Sequence, residues 1–340
     1  AIKKIMKLLE AFKLGTNDLK NRMAMAPMTR TRADQNGIVG KSTEVYYAQR
    51  STAGLIISEA INISKEALGS PLTPGIYSSE QMAAWSKVTA AVHEAGGTIF
   101  AQLWHTGRVG HSHVKNGVTP VAPSPVAIKG QQHFTMDGMK DYEVPRVLVL
   151  EDIQSIIQQY KQAAINAIDA GFDGVELHAA FGYLPNQFLA ESANQRTDQY
   201  GGSHENRNRF VVEILTEMVQ AIGANRVAVR ISPTSTYNSI RHENPIEQFH
   251  LLVKELNNLP LAYLHIMNVP FAVDQLPHYP LNSVEEFGKE SVHPVIANCG
   301  YNKASGEAEL NSGIATMISF GTLFLANPDL PKRFELDAEL

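Results

Sequence analysis

Cysteine is nearly absent. Cys299 is the only one in 340 residues, which excludes an internal disulfide framework and a zinc site built on cysteines. Charge of one sign is never concentrated: the formal net charge is −5, 19% of residues are charged and no block of like charges occurs. Such a balance gives no footing for nucleic acid or an acidic membrane surface. The longest apolar runs are strand-length, well short of the about 20 residues of a spanning helix. Ala1 to Glu10 holds three lysines but too short an apolar core for a signal peptide. The cytoplasm is therefore the expected location, and Asn62-Ile63-Ser64, a glycosylation sequon in form, is read as chance. Nucleotide motifs are missing too. No Gly-x-Gly-x-x-Gly follows a strand, and Gly40-Lys41-Ser42, which mimics the end of a P-loop, has Gln35 where that motif requires glycine.

What is present is an alternation. Near-continuously apolar runs fall at Met23 to Met28, Gly54 to Ala60, Thr98 to Trp104, Gly174 to His178, Val227 to Ile231, Ala262 to Ile266, Pro294 to Ala297 and Thr316 to Phe320. Runs of this kind suit parallel strands covered on both faces. Helical patterns lie between them. Ser79 to Ala95 and Glu151 to Ala170 close on Gly96 and Gly171, Gly202-Ser203 opens a helix to about Ile222, and Asn244-Pro245 opens another. Eight strands, most followed by a helix, predict an α/β fold: one (β/α)₈ (TIM) barrel domain spanning 1–340. From His105 to Pro145 there is no helical period but many Gly, Pro and His residues. A connection that long is usually functional, and it is read as a lid-like excursion after strand three.

Polar residues at the carboxyl ends of barrel strands are where such folds place chemistry. The most informative stretch is His178-Ala179-Ala180-Phe181-Gly182-Tyr183, at the end of a strand, followed by the polar loop from Asn194 to Arg207. Read alone, His178 fits a core histidine equally well. Arg230 sits inside the apolar run Val227 to Ile231, where a charge is expensive unless it is paired with a core carboxylate or meets a ligand. Gln102 and Trp104 alternate within one strand and so face the same side. Thr29 ends the first strand. Asn298-Cys299-Gly300-Tyr301 and Gly321-Thr322 follow strands seven and eight, where barrel enzymes usually bind phosphate and glycines let backbone N–H groups converge on an anion. His105, His111 and His113 lack a cysteine or carboxylate pattern and are read as loop histidines near the cavity mouth rather than a metal site. Cys299 is read as a small buried residue by the phosphate loop, not a redox thiol.

The strings Ala26-Pro27-Met28-Thr29-Arg30, Tyr46-Tyr47-Ala48-Gln49-Arg50, Gln102-Leu103-Trp104-His105-Thr106-Gly107-Arg108, Ala122-Pro123-Ser124 and Asn327-Pro328-Asp329-Leu330 occur in order along most of the chain. With the His178–Tyr183 stretch they resemble the Old Yellow Enzyme family of FMN-dependent ene-reductases. Thr29 in place of a cysteine resembles the branch of nitrate-ester and N-ethylmaleimide reductases. The resemblance implies a ping-pong oxidoreductase in which NADPH or NADH reduces FMN and an electron-poor alkene then enters the same place. Pro27, Met28, Thr29, Ala60, Gln102, His178 and Arg230 would hold the flavin ring, with Thr29 donating to its O4 edge and Arg230 near N1 and O2. The turns Asn298 to Tyr301 and Gly321-Thr322 would take its phosphate. His178 would donate to the substrate oxygen, Tyr183 would protonate the alkene carbon, and Trp104, Phe181 and Thr29 would shape the substrate site.

Three departures stand out. Phe181 occupies the place of a second Asn or His donor, Thr322 replaces an arginine beside the phosphate, and the chain stops at Leu340 without the aromatic, glycine-rich tail usual in the family. Phe181 and Thr322 favour a rival reading, a flavin-binding barrel with degraded catalysis. A flavin-free barrel acting on phosphorylated metabolites is the third.

Overall fold

The computed structural model describes residues 5–268 and 276–340. Eight parallel strands close into a barrel in chain order: β1 (Met23–Met25), β2 (Leu55–Asn62), β3 (Ile99–Trp104), β4 (Gly174–Ala179), β5 (Val227–Ile231), β6 (Leu264–Met267), β7 (Val295–Asn298) and β8 (Met317–Phe320), with β8 pairing back onto β1. The helices are α1 (Lys41–Gln49), α2 (Ser79–Glu94), α3 (Leu150–Asp169), α4 (Leu184–Leu189), α5 (His204–Ile222), α6 (Pro245–Leu256), α7 (Ser283–Gly288), α8 (Lys303–Ser312), α9 (Thr322–Ala326) and α10 (Leu330–Leu336). Each expected strand is present. The first is shorter than its apolar run: it ends at Met25, and Pro27, Met28 and Thr29 lie in the loop beyond it. Pro27 has no N–H for a ladder, which limits how far pairing can continue. Among the described residues no helix is long and apolar enough to cross a membrane.

Alternation along each strand sorts the side chains into two environments. One set, including Met23, Ile56, Ala101, Leu177, Val229, Ile266, Ala297 and Ile318, joins the large apolar core with the helices. The opposite set begins apolar, with Ala24, Leu55, Ile57, Phe100, Ala228, Tyr263, Ile296 and Met317 packed together and closed from below by Leu14 and Leu19 of a hairpin pairing Phe12–Leu14 with Asn17–Leu19. One step further toward the carboxyl ends, this inner set turns polar at Gln102, Glu176, Arg230, His265, Asn298 and Ser319, all buried. The barrel is thus dry at its base and polar where it opens.

Helix ends follow the chemistry read from the chain. Ser78 caps α2 in a capping box with Gln81, Ser203 caps α5, and Asn244 caps α6 just before Pro245. The excursion from His105 to Pro145 contains no helix. It carries a hairpin pairing Gln132–Thr135 with Gly138–Asp141, and its Val121–Ala122 strand pairs with Arg146–Val147.

Candidate active site

His178 stands at the end of β4, in register with Arg230 on β5. Its Nδ1 accepts the Ala180 backbone N–H at 3.3 Å, so the ring proton belongs on Nε2, free to donate. Burial, reinforced by the Arg230 charge, lowers its pKa to about 3, and the ring is neutral at physiological pH. Trp104 stacks beside it, centroids 6.1 Å apart and planes 13° from parallel. Tyr183 meets both rings edge-on, 4.7 Å from Trp104 and 4.8 Å from His178. Burial first, then the neighbouring phenols of Tyr237 and Tyr142, push the Tyr183 phenol above its ordinary range.

A buried polar network joins Gln102 and Asn298 to Glu176, Tyr263, His265 and Ser319, four residues that sequence reasoning did not assign. Glu176 accepts from Gln102 Nε2 at 2.8 Å and from Tyr263 OH at 2.7 Å, and its Oε2 lies 3.0 Å from His265 Nδ1. The other His265 nitrogen pairs with Ser319 Oγ at 2.8 Å, which also accepts from Asn298 Nδ2 at 2.8 Å. Favourable charges and hydrogen bonds, His265 first, outweigh burial and hold the Glu176 carboxyl below its usual range. Arg230 donates to Asn298 Oδ1 at 2.6 Å, while its buried Nε has no partner in the described residues. Among the described residues Arg230 forms no ion pair with a carboxylate, although the nearby Glu176 favours its charge, and its Nε donor is left over. Glu176 was findable by the reasoning applied to Arg230, as a charge inside the apolar run Gly174 to Leu177.

Several of the residues expected to hold a flavin are neighbours in the fold. A register shift in β2 between Ile57 and Ala60 sets Ala60 opposite Gln102. Met28 approaches Gly321, whose missing Cβ would lie 3.7 Å from the Met28 sulfur. Pro27 and Met28 are half-buried, and Thr29 is exposed in the loop rather than at the end of the strand. That loop is anchored by Arg30 and Arg50, whose guanidinium carbons lie 3.6 and 4.0 Å from the Tyr46 ring centroid, and by Glu59, 3.6 Å from Arg30 and bonded to Tyr47 OH at 2.8 Å. Two of the sequence strings, Ala26 to Arg30 and Tyr46 to Arg50, thus form one cluster. At the end of β7, Cys299 and Gly300 have successive positive φ values of 87° and 80°, and the place of a Gly300 Cβ is open space. Tyr301 accepts from Asn268 Nδ2 at 3.1 Å and donates to Glu309 at 3.3 Å. Gly321 caps α9, and Thr322 is its exposed first residue. The unpartnered Arg230 Nε and this open backbone turn, one at each end, fit an anionic ring and its phosphate.

Phe181 is strained. Its φ is 59°, a conformation that costs an L-residue about 1–2 kcal/mol. Two bonds hold it there: its N–H donates to Ser232 Oγ at 3.0 Å, and its carbonyl accepts from Asn238 Nδ2 at 2.8 Å. The ring lies 5.9 Å from the Arg230 guanidinium carbon and edge-on to Tyr237 at 5.5 Å. Ser232, Asn238, Tyr237 and Tyr142 around this corner carried no local signal; each reaches the site through tertiary packing. The loop histidines do have carboxylate neighbours, unlike the expectation from spacing: Glu66 is 3.8 Å from His105, Glu143 is 3.7 Å from His111 and Asp137 is 3.0 Å from His113. Among the described residues no three metal-ligating side chains cluster.

A sequence model of the NADH:flavin oxidoreductase / NADH oxidase family matches residues 7–340. The chain is 41% identical over 335 residues to 12-oxophytodienoate reductase 1 of Oryza sativa subsp. japonica, covering 98% of this chain and 87% of that protein. The structure of an old yellow enzyme homologue from Zymomonas mobilis superposes with a TM-score of 0.94 at 43% identity, covering 98% of this chain and 94% of that one. Morphinone reductase in complex with tetrahydroNAD gives a TM-score of 0.91 at 41% identity, covering 98% and 91%. With a closed eightfold barrel and these matches along its length, the chain belongs to the NADH:flavin oxidoreductase / NADH oxidase family and is an FMN-dependent oxidoreductase of the Old Yellow Enzyme type.

Proposed function

We propose that this ene-reductase takes electrons from NADPH or NADH and reduces the C=C bond of α,β-unsaturated carbonyl or nitro compounds, with His178 and Tyr183 as its catalytic residues. When bound, FMN would supply the hydride chemistry that links the nicotinamide to the alkene carbon remote from the activating group. The remaining chemistry is the protein's. Arg230, a buried cation with a free donor, suits the N1 and O2 edge of the ring, where negative charge collects on reduction. Gln102, Ala60, Pro27, Met28 and Thr29 would hold the rest of the ring, and the turns at Asn298, Cys299, Gly300 and Tyr301 and at Gly321-Thr322 would offer backbone N–H groups to its phosphate. Trp104, Phe181 and Tyr183 supply aromatic walls for a flat, electron-poor substrate.

Proton bookkeeping assigns the two roles. Neutral His178 donates from Nε2 to the carbonyl or nitro oxygen and stabilises the enolate-like charge that develops as hydride arrives. Tyr183 is protonated at neutral pH and gives its phenolic proton to the other alkene carbon, then recovers one from water. One hydride and one proton saturate the double bond, and the nicotinamide is the species oxidised.

The observation that carries this reading is His178, whose Nδ1 accepts the Ala180 N–H and leaves Nε2 to donate, packed edge-on against Tyr183. The test is an anaerobic titration of the yellow protein with NADPH followed by 2-cyclohexenone. Bleaching and then recolouring supports the reading, bleaching without recolouring supports a flavin-binding protein with degraded reductase activity, and a colourless protein refutes both. In the same assay Tyr183→Phe should bleach normally and recolour about 10²–10⁴-fold more slowly, the usual span for a lost general acid. Equal loss in both halves would remove Tyr183 from the proton-donor role.

A further inference from the structure

Arg108 is 2% exposed and, among the described residues, has no carboxylate partner. Its guanidinium is spent on three carbonyls: Val126 at 2.9 Å in the excursion, and Asn238 at 3.0 Å and Ser239 at 3.4 Å in the loop after β5. Among the described residues its Nε has no partner. Burying an unpaired cation is costly, so its placement calls for a reason beyond filling space. The turn it holds is itself unusual, since Asn238 and Ser239 follow one another with φ of 58° and 60°. The excursion grips that turn again through Gln131 Nε2, which donates to Asn238 Oδ1 at 3.2 Å. From the same turn Asn238 donates to the Phe181 carbonyl at 2.8 Å. The two turns also interlock at Gly182, where a Cβ would come within 2.6 Å of the Asn238 Cβ.

We propose that Arg108 is a positioning residue for substrate: it locks the Tyr237–Ser239 turn, and Asn238 in that turn keeps Phe181 in its left-handed conformation as the wall of the pocket. This rests on the reading of the pocket given above. Without the lock, only the Ser232 bond to its N–H holds Phe181 in a conformation that costs it energy, and the wall loosens with it. The long excursion after β3 then has a task, since it supplies Arg108, Val126 and Gln131 and so determines where Phe181 stands.

The test is a double-mutant cycle on the flavin-loaded protein between Arg108→Met and Phe181→Gly, reading reoxidation of the reduced flavin by N-ethylmaleimide. Arg108→Met should raise the half-saturating maleimide concentration by about tenfold, a modest share of what an ångström of misplacement can cost, with a smaller change in the saturating rate. Arg108→Lys, able to reach fewer of the three carbonyls, should recover part of that loss. In the Phe181→Gly background the effect should shrink to roughly twofold or less, because coupled residues do not add. The same fold-change in both backgrounds, or none in the native one, would overturn the proposal and leave Arg108 a plain brace. Should Arg108→Met fail to retain flavin, Asn238→Gly decides the matter. Glycine accepts the positive φ freely and removes the amide that holds Phe181, so an unchanged half-saturation there overturns the proposal too. A wild-type protein that maleimide does not reoxidise refutes instead the reading of the pocket on which the proposal rests.

Discussion

Arg230 reaches past β6 to donate to Asn298 Oδ1 on β7 at 2.6 Å, while Asn298 Nδ2 donates onward to Ser319 on β8 at 2.8 Å. One amide thus aligns the buried cation and ties the carboxyl ends of β5 and β8 to that of β7. Asn298→Ala should leave Arg230 without that acceptor and let it swing. A hydrogen bond to a charged group is worth about 1.5–3 kcal/mol, so FMN should bind apoprotein roughly 10- to 150-fold more weakly in a fluorescence-quenching titration. Unchanged affinity would mean that Glu176 alone orients Arg230.

The acid–base groups of the site titrate outside the working range. His178 is depressed to about 3, so its neutral, donating form is complete above that value and is lost only as pH falls toward it. Tyr183 is raised, so its protonated form persists until pH climbs beyond the ordinary phenol value of about 10. Flavin reoxidation by 2-cyclohexenone should therefore be flat between about pH 5 and 9 in stopped-flow measurements. A limb near pH 6.5 would show that His178 keeps its ordinary basicity.

Thr322 brings no charge to the start of α9, where the phosphate is expected. Thr322→Arg should slow FMN dissociation, by about tenfold for one added charge-assisted bond. Dissociation is followed as fluorescence recovery on dilution. An unaltered or faster loss would show that another group already meets the phosphate.

Much of this was legible because barrel strands announce themselves. Runs such as Val227 to Ile231 are apolar on both faces, and a polar side chain inside one stands out against them, as Arg230 and Gln102 do. Glu176 and His265 obey the same rule, but nothing in their local strings names a ligand. The apolar pattern overruns the end of β1 by three residues, since it continues through Ala26-Pro27-Met28 although Pro27 cannot pair. The corner around Phe181 was illegible for another reason. Its geometry is set by Ser232 and Asn238, some 50 residues onward, and a positive φ at a phenylalanine is a tertiary imposition that no local propensity encodes.

That imposition makes Phe181 the most telling substitution. Asparagine tolerates the left-handed region far better than phenylalanine, so Phe181→Asn should relieve strain worth up to about 1–2 kcal/mol. The gain is offset in part by the lost ring contact with Tyr237. Asparagine also brings an amide that can join His178 in donating to a substrate oxygen. One such donor is worth at most about 2.7–4 kcal/mol in the transition state. The two effects separate with Phe181→Gly, which removes strain and adds no donor. Thermal unfolding of the two variants should then shift in the same direction. Binding of phenolates, which need two donors, and turnover of weakly activated enones should improve only in Phe181→Asn, while maleimides react with both. If Phe181→Asn matches Phe181→Gly in phenolate affinity with FMN still bound, position 181 does not face the substrate oxygen, and His178 acts there without a second side-chain donor from this turn.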